Sequence, residues 1–110
     1  MNPPKPVIPR ELANRDAEEA LAHYLSEGAI QAANGFIDAL EKAYGQIGQN
    51  PRNGSPRWAH ELAIPQLRSW ALTSYPQLIF YIERDDHIDV IRVLHGHRDI
   101  PVWLQSEKEG

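Results

Sequence analysis

The hydrophobic period of the chain changes once, near its middle, and that change leaves few folds open to it. Between Ala13 and Ile47 the apolar residues recur at helical spacing. Ala13, Ala17, Ala20, Leu21, Tyr24 and Leu25 form one stripe, with Glu11, Asp16, Glu18 and Glu19 left toward solvent. Ala29, Ile30, Ala33, Phe36, Ile37, Leu40, Ala43, Tyr44 and Ile47 form a second. Gly28 separates the two, as a residue without a Cβ does where a helix ends. Gly48 and Asn50-Pro51 stop the second run. The spacing predicts two helices joined at one glycine, an α-helical hairpin.

Beyond Pro65 the period falls to two. Leu67–Thr73 predicts a strand and Tyr75-Pro76-Gln77 a turn. Leu78–Ile82 is an unbroken apolar run, expected to be buried on both faces. Arg84–His87 then makes a polar hairpin turn, and Ile88–Leu94 a last strand closed by His95-Gly96-His97. Between the two halves, Pro51–Arg57 is rich in breakers and predicts a loop. Val7-Ile8 lies between Pro6 and Pro9, and because proline donates nothing to a ladder it can form only a short edge strand. A sheet this small must bury one face against the hairpin. The expected architecture is therefore α+β: a short N-terminal strand at an edge, and a helical hairpin packed on a three-stranded antiparallel meander. One domain is expected over residues 1–110, with frayed ends near 1–5 and 106–110 and with Trp103 and Leu104 docking the tail.

Charge and composition narrow the function. The chain has no cysteine, which removes disulfides, thiolate metal sites and a cysteine nucleophile. No apolar run approaches the roughly 18 residues that span a bilayer, and the N-terminus lacks the apolar stretch of a signal peptide, so a cytoplasmic protein with no membrane partner is expected. A formal net charge of -4 argues against gripping nucleic acid through phosphates alone. The charge is uneven, however. Residues 1–51 hold four Lys/Arg against seven Asp/Glu, whereas residues 52–98 hold six arginines against five acids, together with four of the five histidines.

Within that basic stretch Arg92 interrupts an aliphatic strand, sharing its side with Ile88, Val90 and Leu94 by strict alternation. It belongs either on the face away from the helices, converging there with Arg68 and Arg98 on a patch for an acidic or nucleic-acid surface, or in an internal pair with Asp89, Asp99 or Glu83. His95 and His97 are either contact residues at the strand's end or caps that satisfy the turn. With Asp99 they make too small a ligand set for a metal, and neither metal nor cofactor is expected. Trp58, in the loop, is the tryptophan best placed to face a partner, while Trp70 and Tyr81 read as core residues.

The run Pro65-x-Leu67-Arg68-Ser69-Trp70, then Leu78-Ile79-Phe80-Tyr81, then Val90-Ile91-Arg92-Val93-Leu94-His95-Gly96-His97-Arg98-Asp99 resembles the ParE branch of the RelE/ParE toxins. The order of elements agrees over roughly residues 6 to 104. The resemblance implies the toxin of a type II toxin–antitoxin pair that inhibits DNA gyrase and is held inactive in a hetero-oligomer by a ParD-like antitoxin, with no direct nucleic-acid binding unless the antitoxin is present. An antitoxin helix would lie across the hairpin, making Ala33, Phe36, Ile37, Leu40 and Tyr44 the candidate contacts. Arg68, Arg92, His95, His97, Arg98 and Trp58 are the candidates for the target.

The superfamily's ribosome-dependent mRNA endonucleases are the alternative. RNA cleavage through a 2′-hydroxyl needs a base, a cation and an acid. In that branch these are lysines or a glutamate on the first meander strand, an arginine opening the next and a Tyr or His beyond the last. Here the first strand carries Arg68 and Trp70, Gln77 stands where the arginine would, Leu104 falls near the terminal tyrosine, and only Arg98 matches. No catalytic residue is assigned, and action by binding is expected. A non-toxic interaction module on the same fold is the remaining alternative.

Overall fold

A computed structural model describes residues 3–100, so Trp103, Leu104 and the C-terminal tail lie outside the described residues. Strand β1 (Val7–Pro9) leads into helix α1 (Glu11–Ser26), which Gly28 ends with a φ of 72° in the left-handed region. Helix α2 (Ile30–Gln49) runs back and stops before Pro51. Strands β2 (Arg68–Ala71), β3 (Gln77–Glu83) and β4 (Ile88–His95) form the expected antiparallel meander. The sheet order is β1-β4-β3-β2, with β1 at the edge, paired parallel to β4 through Val7↔Ile88 and Pro9↔Val90.

The segment read as loop is more ordered than its breakers imply. Pro51–Asn53 is a turn of 3₁₀-helix, and Arg57–Glu61 forms a short helix, α3. The reason lies on the far face of the sheet, the face away from the hairpin. That face is not open: Leu67, Phe80, Ile82, Leu94 and Ile100 are buried there, with Leu62, Trp58, Ala59 and Ile64 packed against them from α3 and the turn that follows. Apolar strand residues on both faces need cover on both, and α3 supplies the second lid. The hairpin covers the first face, where Ala13, Phe36, Ala43 and Ile47 meet Ile79, Tyr81, Ile88, Val90 and Val93.

One irregularity sets the geometry of everything beyond it. Phe80 pairs with Arg92 while its neighbour Tyr81 pairs with Val90, so β4 carries an extra residue at Ile91. Alternation fails at that bulge. Val93 joins Ile88 and Val90 on the hairpin face, and Leu94 goes to the other. Strict alternation along Ile88–Leu94 put Leu94 with Ile88 and Val90, which the bulge overturns.

Beside β2, Tyr81 ties the 3₁₀ turn to the sheet. It is fully buried, its hydroxyl donates to the Pro51 carbonyl at 2.6 Å, and burial pushes its pKa up to about 12. Gly54 is buried against it, and a Cβ at that position would overlap the Tyr81 hydroxyl and crowd the Ser69 carbonyl.

Candidate functional site

Arg68 and Arg92 are held by different groups of the chain. Arg68 faces the end of the sheet near the 3₁₀ turn, where its Nη1 donates to the Gly54 carbonyl at 2.7 Å. Arg92 turns to helix α1, and its Nε and Nη2 donate to the two carboxylate oxygens of Asp16 at 2.8 and 2.9 Å. Asp16 also accepts from the Val93 backbone N–H at 3.0 Å, so a single carboxylate satisfies the guanidinium and a ladder donor that the short strand β1 does not reach. The hydrogen bond to Asp16 raises the pKa of Arg92, and the pair is largely buried. The patch of Arg68, Arg92 and Arg98 on an open face is therefore corrected on two counts: that face carries an apolar cluster, and Arg92 pairs internally. Asp16 is the carboxylate that hydrogen-bonds it, Asp99 adds to the negative field around it, and Asp89 is held by Arg10 and Arg84.

Asp89 is occupied elsewhere. Arg10 grips both of its oxygens at 2.9 and 2.8 Å, and Arg84 reaches one of them at 3.0 Å. These bonds, led by the one from Arg10, hold the Asp89 carboxyl below the usual carboxylate range. Lys5 adds a bond to Glu83 at 2.9 Å. Strand β1, the start of α1 and the β3–β4 turn are thus pinned to the beginning of β4.

The other end of β4 is open. His95 Nδ1 accepts from the backbone N–H groups of His97 at 3.1 Å and Arg98 at 3.3 Å, while Asp99 accepts from the His95 N–H at 2.8 Å. His95 is thus a cap of the turn, and burial followed by the Arg98 charge lowers its pKa below the ordinary histidine value. His97 and Arg98 project to solvent beside it. Among the described residues no group of three His, Cys, Asp or Glu side chains is placed to hold a metal. A cleft of about 440 Å³ opens between this turn and the second half of α1, lined by Asp16, Glu19, His23, Gln77, His95 and Arg98 among others.

Trp58 is a packing residue. It lies half-buried, edge-on to Phe80 at 6.5 Å, with the Arg57 guanidinium 4.7 Å above its ring. The five α2 candidates fall into different environments. Ala33 and Phe36 are 1% exposed and belong to the core, and Leu40 and Tyr44 pack against that core. Burial pushes the Tyr44 hydroxyl up to about 12. Ile37 alone of the five stands at the surface, and Leu12, Leu25 and Ile30 are the exposed apolar residues that helical periodicity counted as inward or passed over.

The comparisons agree with this geometry. Residues 7–100 match the family model described as the ParE toxin of the type II toxin–antitoxin system, parDE. The chain belongs to the ParE toxin family. Among solved structures, this ParE-type toxin is similar to one described as the chromosomal ParDE TA system from P. aeruginosa, with a TM-score of 0.69, 15% identity, and coverage of 83% of this chain and 95% of that one. At that identity the likeness is one of fold. No curated protein matches the ParE-family chain by sequence. Among its described residues no helix is long and apolar enough to cross a membrane.

Proposed function

We infer that this toxin inhibits DNA gyrase by binding it and that a ParD-like antitoxin neutralises it by binding the toxin directly. The observation that supports binding over RNA cleavage is the state of the arginines on the sheet. A cation that stabilises a phosphorane-like transition state must be able to meet it. Arg68 is held by a backbone carbonyl and Arg92 by a carboxylate, and the buried Gln77 occupies the place where the nuclease branch would carry an arginine. The family match over residues 7–100 supports the same reading. The free end of β4, with His97 and Arg98, is the surface offered to the target; the exposed apolar positions Leu25, Ile30 and Ile37 of the hairpin are offered to the antitoxin.

A plasmid supercoiling assay with purified gyrase tests the first half. The toxin, freed of any antitoxin, is expected to block supercoiling or accumulate double-strand breaks. No effect at stoichiometric excess from folded protein, with mRNA cut on added ribosomes instead, overturns the reading in favour of the nuclease.

A further inference from the structure

Gln77 opens strand β3, is 5% exposed, and its Oε1 is buried with no hydrogen-bond partner among the described residues. Its Nε2 reaches the Tyr24 hydroxyl at 3.5 Å, the outer limit of such a bond. A buried amide one bond short costs about 1–3 kcal/mol, and folded chains seldom retain one without use. Gln77 lines the cleft at the open end of β4, together with Tyr24.

The charges around the cleft select the ligand. Asp16, Glu19 and Asp99 line it against one guanidinium, Arg98. Asp16 is balanced by Arg92, which leaves Glu19 and Asp99 facing Arg98 and a local excess of negative charge. Glu19 is exposed, and no side chain hydrogen-bonds to it among the described contacts. His95 adds no positive charge near neutral pH, because its lowered pKa keeps it neutral. An anionic ligand meets carboxylates here, whereas a positively charged N–H donor meets Glu19 and Asp99 in a cleft whose wall includes Gln77.

We propose that this cleft receives a basic side chain, an arginine or lysine, from the antitoxin segment that covers the hairpin. This rests on the antitoxin reading above and goes further by naming the subsite and its chemistry. The hairpin side of the surface favours the same partner: α1 carries Glu11, Glu18 and Glu19 at exposed positions against Arg15, which pairs with Glu11, and Leu12 and Leu25 are interspersed among them. A cationic amphipathic segment complements both features. Seated there, it would also shade His97 and Arg98, so neutralisation and target binding would compete for one end of β4.

The experiment is an NMR titration of the isotope-labelled full chain with blocked arginine (N-acetyl-arginine amide), with blocked norleucine and blocked glutamate as controls. Saturable shifts at the Gln77 side-chain amide, Tyr24 and His95 are expected with blocked arginine alone, and are expected to vanish in Gln77→Leu. No saturable shift, or equal shifts with norleucine or glutamate, overturns the cleft. A second arm measures antitoxin affinity in Gln77→Leu and in Glu19→Lys, the latter an exposed change that leaves the fold intact. A loss of about tenfold or more is expected in each, the scale of one charge-assisted hydrogen bond. Unchanged affinity overturns the partner assignment even if blocked arginine binds. An antitoxin that fails to bind the unaltered chain overturns the antitoxin reading instead, with the NMR result left to judge the cleft.

Discussion

The two ends of strand β4 are built from the same residue types and put them to opposite uses. At its beginning, Asp89 is 8% exposed and is held by Arg10 and Arg84, so arginines and a carboxylate close the sheet onto β1 and α1. At its end, Arg98 and His97 remain at the surface and Gln77 keeps an unmet hydrogen bond. Asp16 and Arg92 mark the boundary between them. The difference teaches that a cluster of charges seen in a sequence has no fixed meaning: what matters is whether a partner within the chain claims it.

That contrast can be broken by substitution. The largest effect is expected from Asp16→Ala, which strips both Arg92 and the Val93 N–H of their acceptor. A loss of about 3 kcal/mol in denaturant unfolding follows from taking this carboxylate away from a half-buried cation and a ladder donor. Asp89→Ala comes next, at about 2 kcal/mol, because its two arginine partners are roughly half exposed and solvent screens part of the loss. Gln77→Leu is expected to do the reverse and raise stability by about 1 kcal/mol, since it removes a buried polar atom that has no partner among the described residues. A loss of that size would show the amide to be satisfied and would erase the difference between the two ends.

pH separates the ends more gently. His95 has a folded-state pKa below that of the unfolded chain, so the unfolded state takes up the proton first and stability falls as pH drops through about 6.5. Asp89, whose folded pKa is lowered, contributes stability above about pH 4 that is lost as pH falls further. Thermal unfolding between pH 7.5 and 5.5 should therefore show a fall in Tm that His95→Asn removes and Asp89→Asn does not. Below pH 4 the dependence on the two substitutions should reverse.

Much of the scaffold was legible because it is local. The stripes of α1 and α2, the glycine between them and the alternation from Leu67 onward each depend on neighbours within one element. What escaped was long-range. The parallel pairing of β1 with β4 joins residues 7 and 88, and a three-residue strand carries no signal of its partner. The bulge at Ile91 moved Leu94 to the opposite face from Ile88 and Val90, and no residue there announces it. Helix α3 exists because an apolar far face needed cover, which breakers such as Pro56 conceal. Of the site, capping was one of the two roles that the place of His95 at the end of the last strand left open, and His97 and Arg98 lie exposed just beyond it. The capture of Arg92 by Asp16 crosses 76 positions, and the unmet bond of Gln77 is a matter of packing alone.

The central claim is that this ParE-type toxin acts through the open end of β4. The most direct test is gyrase supercoiling titrated in parallel with the unaltered chain and with His97→Ala/Arg98→Ala, a surface pair whose removal should change stability by less than about 0.5 kcal/mol. Inhibition by the unaltered chain and a loss of at least tenfold in the double variant, with unchanged Tm, is the predicted result. Full inhibition by the double variant would contradict the account and place the acting surface elsewhere on the fold.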